Sequence, residues 1–224
     1  MPVDNTEPLS VYRAGPGYSA CLANMALAAS RAHHKRGFLD SILGLPAHGI
    51  VRVLSRLALH PGQKWGRVEN SYVALVDGVC SGMATVRPAG TRDEFLFSLE
   101  AFRDVAATLK MDARWTQAAL ERRDAFAEAV FPAEPASEGT WRLEWLAVRH
   151  ENRSAGVARG LLERALADVR AAGAARVEVL CEIGNVRAER LSGTFGFEAV
   201  REFPYPAGLP EPGTGFRLLR REPV

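Results

Sequence analysis

Apolar and polar positions recur with two different periods along this chain, and each change of period marks an element. "SVYRA" (Ser10 to Ala14) reads as a short strand closed by "GPG" at Gly15 to Gly17. From Tyr18 to Arg36 the sequence is alanine-rich and favours helix, and a second helix is expected over part of Leu39 to Leu59. "YVALVDGVCSGMATV" (Tyr72 to Val86) holds two β-favouring runs around Asp77-Gly78, a dipeptide that supplies the positive φ angles of a tight hairpin turn.

Residues 88 to 139 change register. "DEFLFSLEAFRDVAATLK" and "RWTQAALERRDAFAEAVF" are amphipathic helix patterns, ended by the proline-rich "FPAEPASEG". Residues 91 to 139 carry 10 acidic and 6 basic side chains, a net −4 within a chain that is +2. The aromatic content argues for a helical insertion packed onto the rest of the chain, since a free linker would carry fewer aromatics.

Strand and helix then alternate. "TWRLEWLAV" (Thr140 to Val148) is largely apolar, as a central strand is. Val157, Leu161, Leu162, Ala165, Leu166 and Val169 follow at helical spacing, with Arg159, Glu163 and Asp168 on the other face. "ARVEVLCE" is another strand. Asn185 is a natural N-cap for the short helix "VRAERLSGT", "FGFEAVREF" opens a further strand, and "FRLLR" is the last. The order predicts an α/β sheet with crossovers.

Composition narrows the function. A net charge of +2 without a long basic run argues against nucleic acid. "MPVDNTEPLS" has neither the basic start nor the apolar core of a secretory signal, and no run reaches the roughly 20 apolar residues of a membrane span. Cys21, Cys80 and Cys181 are odd in number and far apart, so neither a disulfide framework nor a zinc cluster is expected. Adjacent His33 and His34 would point to different sides of a helix. The expectation is a cytoplasmic, metal-free protein.

The chemistry concentrates in "NRSAGVARGLL" (Asn152 to Leu162). Small residues at Gly156 and Ala158 let a ligand approach the backbone. The unpaired N–H groups of the helix's first turn then face that ligand, with about 0.3–1 kcal/mol from the helix dipole for an anion. Arg153 adds a forked donor suited to phosphate. The pattern Arg-x-x-Gly-x-Ala is neither a Walker loop nor a dinucleotide fingerprint.

"LAVRHENRSAGVARGLLERAL" instead resembles the acyl-CoA-binding motif of the GNAT acyltransferase superfamily. "NVRAERLSGTFGF" resembles that family's second element at Asn185, Ala188, Leu191, Gly196 and Phe197. The resemblance is carried by residues 140 to 203 and does not extend to the insertion. It implies one GNAT-type domain over residues 1 to 224, with a mixed, mostly antiparallel central sheet flanked by helices and a helical insertion at about 88 to 139 before the central strand. It also implies an enzyme moving acetyl from acetyl-CoA to a primary amine of a small molecule or peptide, or, in another class, a non-catalytic acyl-CoA-binding module. Backbone groups from Arg153 through Ser154, Gly156, Val157 and Ala158 would hold the pyrophosphate. The edge at Leu146, Ala147 and Val148 would pair with the pantetheine arm, and Asn185 would contact it.

An amine with a lysine-like pKa costs about 4–5 kcal/mol to deprotonate at neutral pH, so a general base is expected. Glu144, a lone carboxylate in an apolar strand, is the first choice; otherwise it is a solvated strand charge paired with Arg142. His150, in the following turn, is the outside choice. Many family members place a tyrosine after the Leu191 position to protonate the departing sulfur, whereas this chain has Ser192. Ser192 would donate a hydrogen bond in that place or stand as a plain helix serine. Cys181 at a strand end raises a covalent route, but direct transfer is favoured, because a structural thiol is the commoner use of a buried cysteine. The acidic insertion would wall an acceptor site for a cationic amine, or serve as a solvated face or an oligomer contact such as a homodimer's.

Overall fold

Strand β4 (Thr140–Val148) lies in the middle of a seven-stranded sheet. The sheet is that of a computed structural model, which describes residues 9–90, 96–130, 136–153, 156–205 and 214–222. The other strands are β1 (Ser10–Arg13), β2 (Ser71–Val76), β3 (Val79–Pro88), β5 (Arg176–Glu182), β6 (Glu198–Pro204) and β7 (Gly215–Arg221). Their order is β1-β2-β3-β4-β5-β7-β6. Every pairing is antiparallel except β4 with β5, as the expected mixed, mostly antiparallel class requires. The hairpin β2–β3 turns where the sequence placed it, with Asp77 and Gly78 at φ 51° and 71°.

Helices cover both faces. On one side α6 (Val157–Ala171) lays Val157, Leu161, Leu162 and Val169 against Tyr72, Ala84 and Leu143. On the other side α1 (Ser19–Arg31), α2 (Phe38–Leu43), α3 (Ala47–Leu57), α4 (Leu99–Thr108) and α5 (Ala113–Val130) share a core with Trp145 and Ala147. The segment expected to be a helical insertion carries α4 and α5, and its Phe97, Phe102 and Phe126 belong to the same core as Leu22 and Ile42. Parts of its proline-rich end and of the turn before β7 lie outside the described residues. The short helix α7 (Val186–Thr194) starts at Asn185, whose Oδ1 accepts from the Ala188 N–H at 3.3 Å.

Three expectations change. The first helix ends at Arg31, five residues early, because Ala32 takes a positive φ of 49°. The chain then folds back tightly: a Cβ on Gly37 would lie 1.9 Å from the Ser30 carbonyl oxygen. The second helix is two, since Gly44 in the left-handed region closes α2 and Pro46 leads into α3. Third, Cys21 on α1 and Cys80 on β3 are joined in a disulfide spanning 59 positions, while Cys181 is free and buried. Sequence separation hid the first two cysteines' proximity, and the bond removes the ground on which a reducing compartment was expected. Among the described residues no helix is long and apolar enough to cross a membrane.

Candidate active site

The site begins with a defect in β4. Thr85 pairs with Trp145 and Val86 with Leu143, which leaves Glu144 as the extra residue of a bulge. The alternation slips there. Trp141 and Leu143 face the α6 core, Trp145 and Ala147 the opposite core, and Leu146 and Val148 the α6 side again. Beyond the bulge β4 parts from β5, since their pairing runs only from Thr140–Arg176 to Leu143–Val179. The edge at Leu146, Ala147 and Val148 is therefore opened toward β5.

Beside that edge starts α6. Its N-cap, Gly156, has φ 75°, a left-handed conformation costly for a side chain, and among the described residues, its chain neighbours aside, no atom lies within 4 Å of where a Cβ would be. Val157, Ala158 and Arg159 precede the first helical hydrogen bond, from Gly160 N–H to Gly156 O at 2.9 Å, so their N–H groups have no acceptor within the helix. Arg153 is exposed at the preceding turn, His150 is exposed within it, and Ser154 lies outside the described residues. An opened strand edge next to the donors of a helix's first turn suits an extended ligand ending in an anion.

Between β4 and β5 lies a cavity of about 140 Å³, whose lining includes Glu144, Asn185 and Ser192. The structure thus brings together both sequence-chosen catalytic residues and the candidate pantetheine contact. Glu144 is not a solvated charge and its partner is not Arg142. Its side chain is 3% exposed, Oε1 accepts from Arg87 Nε, and Oε2 accepts from the Gly66 N–H at 2.8 Å. Burial pushes its carboxyl above the usual range, against the pull of Arg87 and the Gly66 amide. Arg142 lies near Glu178 (3.5 Å), and Glu178 also accepts from Arg220 at 2.8 Å.

Sequence reasoning missed Arg87 and Gly66, which lie 57 and 78 positions from Glu144. It also missed the walls. Phe126 and Val130 of α5 line the cavity, as do Ser30 and Ala32 at the end of α1. Cys181 lines it too, but burial and the nearby Glu189 push its thiol up to about 12, so it stays protonated at neutral pH. Glu182, at the end of β5, is buried, with His34 Nε2 at 3.0 Å from its Oε1. The early end of α1 brings the His33 and His34 rings to 3.9 Å, on one side and not on two.

An open seven-stranded sheet parted between β4 and β5, with a glycine-started helix at the gap, is the GNAT fold. The family model for acetyltransferase (GNAT) matches residues 53–197, and the chain belongs to that family; it is a GNAT-type acetyltransferase. Similar solved structures include an N-acetyltransferase from Staphylococcus aureus Mu50 (14% identity, TM-score 0.65, 95% of this chain and 100% of that one). An agmatine N-acetyltransferase aligns at 17% identity and TM-score 0.55 (96% and 100%). YncA from Salmonella typhimurium, solved with its cofactor acetyl-CoA, aligns at 13% and 0.54 (96% and 94%). No curated protein matches in sequence.

Proposed function

We propose that the protein is an acyl-CoA-dependent N-acyltransferase that carries acetyl directly from acetyl-CoA to a primary amine of a small molecule or peptide. The observation that carries this reading is the bulge at Glu144, which opens the β4 edge and sets a buried carboxylate in the same cavity. Acetyl-CoA supplies an activated thioester. The opened edge at Leu146, Ala147 and Val148 fits the amide-bearing pantetheine arm. Asn185 contacts that arm from the rim, and Arg153 with the N–H groups of Val157 and Ala158 holds the pyrophosphate. The space beside Gly156 is what such an anion needs.

Glu144 takes the acceptor's proton, directly or through one water. Its burial makes it a stronger base than an ordinary carboxylate, and Arg87 with the Gly66 amide fixes its orientation. Ser192, 8% exposed on the cavity wall, donates to the departing sulfur in place of a tyrosine. A thiol pKa near 8.5 makes that thiolate a tolerable leaving group without a strong acid. Cys181 plays no covalent part, because its thiol is protonated.

The test follows free thiol when purified protein meets acetyl-CoA and a panel of amines. Wild type is expected to release thiol in an amine-dependent way. Glu144→Gln, which keeps the shape, should lower kcat roughly 100-fold or more, with the largest loss below the acceptor's pKa. CoA binding without amine-dependent release across the panel overturns the reading, and an unaltered pH–rate profile in Glu144→Gln removes that residue as base.

A further inference from the structure

Glu182 differs from the cavity's other buried acids. Glu144 is held by Arg87 and Glu178 by Arg142 and Arg220, whereas Glu182 has an imidazole beside it. His34 Nε2 is buried and lies 3.0 Å from Glu182 Oε1, with no second partner among the described residues. Two ligands of one ion also stand at this spacing. His33 completes the set. One nitrogen from each histidine and one Glu182 oxygen all lie within 4.8 Å of one another.

The local chain is built to hold that arrangement. The positive φ at Ala32 turns both imidazoles to one side. Arg31 Nη2 and Nε donate to Asp40 at 2.6 and 2.9 Å, and the Gly37 N–H donates to the same carboxylate at 2.9 Å. The turn that carries the histidines is thereby clamped at both ends. Across from it, Gly184 follows Glu182 with φ 91°, and a Cβ there would stand 3.4 Å from His33 Nε2. A larger residue would crowd the ring.

We propose that His33, His34 and Glu182 form a binding site for a divalent transition metal of the zinc class at the rim of the acceptor cavity. Two imidazoles and a carboxylate are the donor set that zinc takes when it keeps an open position. Bonds of about 2.0–2.2 Å set ligand atoms roughly 3.3 Å apart in a tetrahedron. His34 and Glu182 are already at that spacing, and the exposed His33 ring has room to close the remainder. The ion would offset the charge of a carboxylate that no guanidinium faces among the described contacts, and its open position would look toward the cavity that Glu182 lines.

The experiment is a calorimetric titration of chelator-stripped, full-length protein with Zn2+ alone. Absorption of the Co2+-loaded form reports the coordination geometry. Wild type is expected to bind one equivalent, with a tetrahedral or five-coordinate Co2+ spectrum. His33→Ala, His34→Ala and Glu182→Gln should each bind roughly 10- to 100-fold more weakly while keeping the far-ultraviolet circular dichroism of the wild type. His33→Ala is an exposed change that leaves the core alone, so its result stands even if Glu182→Gln unfolds. No stoichiometric uptake by wild type, or wild-type affinity in His33→Ala, overturns the site.

Discussion

The two sides of the candidate site, the strand edge with the start of α6 and the cavity beside it, are made of different material. The α6 side is backbone: an opened strand edge at Leu146–Val148 and the N–H groups that follow Gly156, all within about a dozen consecutive residues. The cavity is side chain: Arg87 from β3, Glu144 from β4, Phe126 from α5 and Ser30 from α1. Backbone donors are the same in every residue, so that wall needs only a conformation, and a short glycine-bearing motif specifies it. Side-chain walls depend on which residues meet across the fold. The first suits a common donor molecule, and the second is where one family adapts to different acceptors.

Breaking each wall separately tests this contrast. The largest effect is expected on the side-chain wall. Arg87→Ala leaves the buried Glu144 carboxylate without its guanidinium and should cost about 3–5 kcal/mol in urea unfolding. CoA affinity of the folded protein should change little, and an equal loss of both would mean the walls act as one unit. Next comes the backbone wall. Gly156→Trp should weaken CoA binding about 100-fold, or about 2.7 kcal/mol, by calorimetry. Its stability cost should be only about 1–2 kcal/mol, from the positive φ.

The smallest effect lies behind the backbone wall. The Tyr72 hydroxyl donates to Asp168 on α6 at 2.7 Å. That hydrogen bond, with Arg164 and Arg13 nearby, holds the Asp168 carboxyl below its usual range, while the same contact and burial push the Tyr72 hydroxyl up. A depressed carboxylate adds stability above its unfolded pKa of about 3.9, and loses it as pH falls through the lower folded value. Asp168→Asn should therefore flatten the acid limb of the stability–pH curve below about pH 4. At neutral pH it should cost no more than about 1 kcal/mol, because the group is partly exposed. An unchanged acid limb would remove this pair as an anchor of α6.

How far the site was legible follows from chain distance. The hairpin at Asp77-Gly78, the cap at Asn185 and the glycine at 156 each answer to neighbouring residues, and each appears where the sequence placed it. Glu144 was legible as an odd charge in an apolar strand, but its burial and its partner were not. The bulge depends on how β3 and β4 register, and Arg87 sits 57 positions away. The histidine pair was misread because helical periodicity was carried past Arg31. Ala32 ends the helix with a positive φ that its side chain does not announce, and Gly37 allows the return because it has no Cβ to collide with the Ser30 carbonyl. The disulfide failed for the same reason, since Cys21 and Cys80 meet through the docking of α1 on the sheet.

The sequence by itself determined most of the alternation of strands and helices, the α/β class and the anion-ready start of α6, while the mixed, mostly antiparallel sheet came from the family resemblance its motifs carry. Those features depend on local conformation and on the period of apolar residues. Tertiary structure alone decided which charges are buried, that Glu144 leans on Arg87 and Gly66, that α5 walls the cavity, and that His33, His34 and Glu182 converge. These follow from desolvation and from contacts between residues far apart in the chain, and neither is written in any one stretch of it.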